Sequence, residues 1–202
     1  MRYFIAFLLS GLFLVGPASA NFSLAADQEV KNEIQTLLEE RDREIKDVLG
    51  PKGQEYTDEQ REKLKGLIND IVDYPSMARQ ALDEKYDELN PEEQERFTEL
   101  FAEVIRQQSM EQLDIYRAEV TYEEIAVNNG EALVHTMSVL DNRRIPVKYK
   151  MTYKNGEWVI ADISVDNVWT AESYQRSFSN ILRRHGFDRL MESLERRAER
   201  TG

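Results

Sequence analysis

Residues 145–160 read IPVKYKMTYKNGEWVI, and this stretch decides the fold. Ile145, Val147, Tyr149, Met151 and Tyr153 alternate with Pro146, Lys148, Lys150 and Thr152, the period of a strand with one buried face. Asn155-Gly156 then supplies two residues that accept the left-handed backbone of a tight hairpin turn. Folding the chain back there puts Tyr153 opposite Trp158 and Met151 opposite Ile160. Upstream, Asn129-Gly130 marks a second turn of the same kind. The pattern predicts four antiparallel strands near 118–127, 131–140, 145–153 and 157–166. In the last of them Val159, Ala161, Ile163 and Val165 form an apolar series on the second face, which predicts helices over parts of both faces.

Before residue 118 the apolar period is that of a helix. Val30, Ile34, Leu37, Leu38, Ile45, Val48 and Leu49 make a first helix that Gly50-Pro51 stops. Thr57-Asp58-Glu59-Gln60 is a capping box opening a second helix. A third is predicted after a break at Pro75, from Met77 to Leu89. Asn90-Pro91-Glu92-Glu93 starts a long fourth helix carrying Phe97, Phe101 and Val104 and running to Tyr116. Beyond the strands, Thr170 to Arg184 is helical, with Arg183, Arg184 and His185 placed at a C-terminus that ends on Gly186. A last helix carries Leu190, Met191 and Leu194. The expected fold is α+β: a four-stranded antiparallel sheet packed with about six helices in a single domain, 21–202.

Residues 1–20 read as a secretory signal peptide. Arg2 is followed by an apolar run from Tyr3 to Gly16 and by the small-residue site Ala18-Ser19-Ala20. As a helix the run spans about 21 Å, short of the roughly 30 Å hydrocarbon core, so cleavage after Ala20 is expected in place of a permanent anchor. The new N-terminus, Asn21, excludes a lipid-modified Cys.

Composition removes several function classes. The net charge of -12, from 26 basic and 38 acidic residues, argues against nucleic acid as a partner. With no Cys and two His, thiolate chemistry and a His-rich metal centre are absent, and the sequence predicts no cofactor and no metal. There is no phosphate loop, nucleophile elbow, zinc-protease helix or EF-hand motif. His135, flanked by Leu133 and Met137, reads as a packed imidazole. Asp162 stands in an apolar strand near Tyr149 across the hairpin. It reads either as a structural carboxylate bonded to backbone donors or, with Tyr149, as a proton-transfer pair. The charge is uneven: residues 169–202 carry seven Arg against five acids, net +2, leaving -15 on 21–168. Arg176, Arg183, Arg184 and Arg189 cluster around one helix end and predict a contact with a partner or an anionic head group, unless Glu172, Asp188, Glu192 and Glu195 neutralise them locally.

Two stretches resemble the MlaC, or toluene-tolerance, family of periplasmic phospholipid-binding proteins. The first is Asp73-Tyr74, Met77-Ala78-Arg79-Gln80-Ala81-Leu82, then Gln94, Phe97, Leu100-Phe101, Leu113 and Tyr116; the second is Trp158 to Ile163, then Val168, Tyr174, Phe178, Ile181-Leu182, Gly186-Phe187 and Leu190 to Leu194. The chain departs from the family's pattern at Asp83, where Gly is usual, at Tyr86, where Trp is usual, and at Asp166-Asn167, where Glu-Gly is usual. The resemblance implies a cystatin-like or nuclear-transport-factor-like fold with an apolar lipid pocket between the sheet and its helices. It implies a non-enzymatic periplasmic carrier that moves phospholipid between an outer-membrane lipoprotein complex and an inner-membrane ABC transporter bearing an MCE-domain protein. About 30 methylenes at roughly 0.8 kcal/mol each must leave the bilayer, so the tails need enclosure, on the order of 800 Å³ for two chains. Phe97, Phe101, Val104, Val147, Tyr149, Met151, Trp158 and Ile160 are the expected lining, with Arg176, Arg183, Arg184 and Arg189 at the head group or a partner. A proton-transfer enzyme using Asp162 and an acidic adaptor with a filled core are the other readings of the same residues.

Overall fold

Asn129-Gly130 and Asn155-Gly156 take φ of 49°, 78°, 55° and 94°, and each pair closes a hairpin. The computed structural model describes residues 18–199. Its strands are β1 (Glu119–Asn128), β2 (Glu131–Leu140), β3 (Arg143–Lys154), β4 (Glu157–Val165) and β5 (Val168–Trp169), an antiparallel meander in chain order. The pairs Tyr153–Trp158 and Met151–Ile160 are in register as predicted. The sheet has five strands instead of four. The two further turns, Asp141-Asn142 and Asp166-Asn167, have φ between 48° and 64° and contain no Gly. Asn and Asp enter the left-handed region more readily than other side chains, so these turns form without the usual glycine signal. Where β5 stops, Ile71 and Asp73 continue the covering of the β4 edge, through Ile160 N–H to the Ile71 carbonyl at 2.7 Å and Asp73 N–H to the Ile160 carbonyl at 2.8 Å.

One expectation about the faces is corrected. A bulge at Ala161 inserts an extra residue into β4, so that Met151 pairs with Ile160 but Lys150 pairs with Asp162. Beyond the bulge Ile163 and Val165 therefore share the face of Trp158 and Ile160, and Asp162 and Ser164 turn to the other.

The helices are α1 (Ala18–Leu49), α2 (Asp58–Asn69), α3 (Tyr74–Leu82), α4 (Glu84–Glu88), α5 (Pro91–Glu111) and α6 (Thr170–Ala198), with a 3-10 turn at Leu113–Arg117. Residues 1–17 of the predicted signal peptide lie outside the described residues. Both capping boxes form: Thr57 and Gln60 exchange side-chain and backbone bonds, as do Asn90 and Glu93. Pro75 does not break a helix. It sits in the first turn of α3, where a missing N–H costs nothing, behind the N-cap Asp73. The break falls at Asp83, with φ 54° and ψ -140°, and divides the expected third helix into α3 and α4. The long fourth helix ends at Glu111, and Leu113 and Tyr116 belong to the 3-10 turn. The two C-terminal helices form one helix, α6, bent where Gly186 takes φ 81° and ψ 178°.

Three cores result. Met77, Ala81, Phe97, Phe101, Phe178 and Leu190 join α3, α5 and α6, with Phe97 stacked on Phe101 at 5.9 Å and edge-on to Phe178 at 5.8 Å. Ile34 and Leu38 of α1 cover Val134, Met151, Trp158 and Ile160 on one sheet face. Ile45, Leu49, Leu64 and Leu113 close the space between α1, α2 and the 3-10 turn.

Candidate functional site

The gap between these cores is a cleft of about 370 Å³. Its floor is Ile163 and Val165 of β4. Its walls are the C-terminal half of α5 with Ile105, Gln108 and Ser109, the 3-10 turn with Ile115 and Tyr116, and the start of α6 with Ser173 and Tyr174. Ile68, Asn69, Val72 and Tyr74 close the remaining side. In a chain that is 32% charged, no charged side chain lines it. Two pairs of its polar groups bond to each other: the Tyr74 hydroxyl donates to Asn69 Oδ1, and the Tyr174 hydroxyl donates to Gln108 Oε1 at 3.1 Å, linking α6 to α5 across the wall. Arg106 stays outside with its guanidinium 4.7 Å above the Tyr74 ring. Burial pushes the Tyr74, Tyr116 and Tyr174 phenols above their ordinary value, so the cleft is neutral at physiological pH. Such a surface combines apolar side chains with neutral hydroxyl and amide groups.

A second groove, about 590 Å³, lies between α1 and the β3–β4 hairpin. It is larger, but Glu29, Glu33, Glu40, Asp70 and Glu157 line it against a single cation, Arg41. Burying an apolar group against those carboxylates costs their desolvation, so the two cavities differ in chemistry more than in size.

The eight expected lining residues divide between two cores. Phe97, Phe101 and Val104 are buried among α3, α5 and α6. Met151, Trp158 and Ile160 are buried beneath α1, with Tyr149 packed at the margin. Val147 is buried on the same sheet face. Val147 and Tyr149 pair with Val165 and Ile163, so they continue the cleft floor one strand further in. The walls do not stand out in the sequence because neutral polar residues, Gln108, Ser109, Gln112 and Ser173, interrupt their apolar positions. The signal available was the uncharged run Gln107-Gln108-Ser109-Met110 in an otherwise highly charged α5.

Asp162 and Tyr149 do not meet. Tyr149 pairs with Ile163 and Asp162 with Lys150, on opposite faces of the sheet. Asp162 Oδ1 accepts from the backbone N–H of Ile163 at 2.9 Å and of Ala171 at 3.1 Å, which makes it a structural carboxylate at the start of α6. Burial pushes its carboxyl above the ordinary range, against the pull of those N–H groups and of Lys150 Nζ at 3.7 Å. Among the described residues no group of His, Asp or Glu is arranged to hold a metal ion. His135 lies with Nδ1 3.9 Å from Glu124 on the face away from the cleft. Of the arginines, Arg176 pairs with Glu172 and Arg189 with Glu192, each at 2.5 Å, while Arg183 reaches Asn180 at 3.4 Å and Arg184 is exposed. Local neutralisation therefore accounts for two of the four.

The model of the MlaC protein family matches residues 39–196. The chain belongs to the MlaC family. The match spans α1 to α6 and takes in every wall of the cleft. Among solved structures, MlaC-type folding is shared with the phospholipid-binding protein from Ralstonia solanacearum, a structure in complex with a phospholipid, at 18% identity and a TM-score of 0.67. The alignment covers 83% of this chain and 95% of that one. No curated protein matches this MlaC-family chain.

Proposed function

We propose that this MlaC-family protein is a periplasmic carrier that holds phospholipid acyl chains between its sheet and helical layer and moves lipid between membranes. The observation that carries the reading is the neutral, largely apolar cleft in a chain otherwise rich in charge. The Ralstonia relative of the same fold supports phospholipid as the ligand. No described helix is long and apolar enough to cross a membrane, which suits a protein that travels.

The cleft holds less than half of the on-the-order-of-800 Å³ that two acyl chains occupy. Loading therefore parts α5 and α6 from the sheet and extends the floor inward over Val147 and Tyr149. The Tyr174–Gln108 bond and the Tyr74–Asn69 bond are the polar links that bound this opening. The head group remains at the rim. The carrier acts without a cofactor, exchanging lipid with an outer-membrane lipoprotein complex and with the MCE-domain protein of an inner-membrane ABC transporter, and so serves outer-membrane lipid asymmetry. Arg183 and Arg184, ahead of the bend at Gly186, are the cations left for a partner or head group. The lipid-filled cleft, set between a meander sheet and helices, is the feature that this reading shares with cystatin-like and nuclear-transport-factor-like pockets.

The test is solvent extraction of the protein purified from cells expressing the full chain, with mass spectrometry of the extract. About one phospholipid per protein is expected. A protein that carries none and takes up none from vesicles contradicts the reading.

A further inference from the structure

The sheet face turned away from the cleft carries an ordered charge pattern that lipid carriage leaves unused. Register sets its rows: Glu119–Val139–Arg144, Thr121–Met137–Pro146, Glu124–His135–Lys148 and Ala126–Leu133–Lys150 each run across β1, β2 and β3. In two of these rows an acid on the outer strand stands across from a cation on the third, Glu119 from Arg144 and Glu124 from Lys148, with Val139, Met137 and Leu133 along the middle strand. Leu133 is 36% exposed, and Leu133, Met137 and Val139 belong to none of the three cores. Among the described residues Glu119, Arg144 and Lys148 form no ion pair, and Glu124 meets His135 alone. Lys150 is already held by Asp162 and by the Trp169 ring at 4.2 Å.

We propose that this face docks on the same face of a second copy, about a two-fold axis running along β2. Stacked sheets sit about 10 Å apart with strands aligned to within about 30°. A half-turn about an axis along β2 keeps each row at its own height and exchanges the two sides. Glu124 of one copy then meets Lys148 of the other, Glu119 meets Arg144, and Leu133, Met137 and Val139 meet their own counterparts. This is a self-complementary, closed interface. An axis across the strands would set acid on acid and cation on cation. A basic peptide would match the β1 row and be repelled by the β3 row, so the second copy is the occupant that satisfies both. The cleft lies on the opposite face and stays open in the dimer.

The patch is small. Three strands about 4.8 Å apart and some ten residues long, at about 3.3 Å per residue, give roughly 450 Å² per copy. The total of about 900 Å² lies below the standard interface, so the dimer is weak and concentration-dependent. The net charge of -12 also opposes association at low salt.

Sedimentation equilibrium of the purified protein from about 10 µM to about 1 mM, near physiological salt, should show a monomer–dimer equilibrium. Glu124→Lys alone and Lys148→Glu alone should each weaken the dimer about tenfold or more, and the two together should restore it to within about threefold. Leu133→Lys, a surface change on the apolar row, should dissociate it independently and serves if a charge swap fails to fold by circular dichroism. A monomer at about 1 mM, whether or not another segment covers the face, overturns the proposal, as does a dimer indifferent to these changes or a double swap no tighter than either single one.

Discussion

Lys154 Nζ lies 2.9 Å from Asp73 Oδ2, so the end of β3 is tied to the first turn of α3. Asp73 also accepts from the Ser76 hydroxyl at 2.7 Å and the Ser76 N–H at 3.2 Å. Burial raises the Asp73 pKa, but the bonds from Lys154 and Ser76 outweigh it and hold the carboxyl below its ordinary value. A folded pKa below the unfolded one stabilises at pH above the ordinary carboxylate range, and the stabilisation is lost as pH falls through the folded value. Asp73→Ala should cost about 2 kcal/mol at pH 7, combining a lost N-cap with the lost charge-assisted bond from Lys154. Urea unfolding of both proteins should show the gap narrowing below about pH 4; a gap that widens on acidification contradicts the assignment.

Asp83 occupies a backbone position that suits glycine, φ 54° and ψ -140°, and what its side chain adds there, among the described residues, is the bond it accepts from Gln175 Nε2 at 2.8 Å. Strain of this kind costs on the order of 1–3 kcal/mol, more than one exposed hydrogen bond returns. Asp83→Gly should therefore raise stability by about 1 kcal/mol. A lower thermal midpoint for the variant would show that the α3–α4 joint is held by the Gln175 contact.

Filling the cleft should separate binding from folding. Ser109→Trp and Ser173→Trp each place an indole where the cleft walls leave room, and should lower co-purified lipid severalfold with a cost of about 1 kcal/mol or less. Met151→Trp, at a site 1% exposed beneath α1, should instead cost about 2–3 kcal/mol through overpacking. Equal lipid loss from all three, with folding intact, would move the tails under α1.

Arg183 and Arg184 stand without a carboxylate partner among the described residues, unlike Arg176 and Arg189. Changing both to Gln should lower the rate of lipid transfer to acceptor vesicles carrying the partner complexes, and flatten its dependence on salt. An unchanged rate at low salt would assign these arginines to solvent.

The sequence made the hairpin frame legible because Asn-Gly turns and strict alternation act over a few residues: Tyr153–Trp158 and Met151–Ile160 follow from counting. β5 was hidden because two residues carry no period, and Asp166-Asn167 lacks the glycine that would mark its turn. The bulge at Ala161 was equally silent, yet it decides which face Asp162 takes and so removes the Tyr149–Asp162 pair. Phe97, Phe101 and Trp158 looked like a lining because an aromatic stripe fits a cavity wall and a packed core equally well. The cleft itself depends on three layers meeting, and neutral groups such as Gln108, Ser109 and Ser173 bear no pattern that announces it.

Where the acyl chains lie is the central claim, and a phospholipid bearing a photoreactive group near the end of one chain reads it directly. After loading, illumination and peptide mapping, crosslinks should fall on Ile105 to Tyr116 and on Ile163 to Tyr174, the segments that wall the cleft. Crosslinks confined to Glu29–Arg41 and Gly156–Val159, the lining of the acidic groove, or an absence of loading altogether, would contradict it.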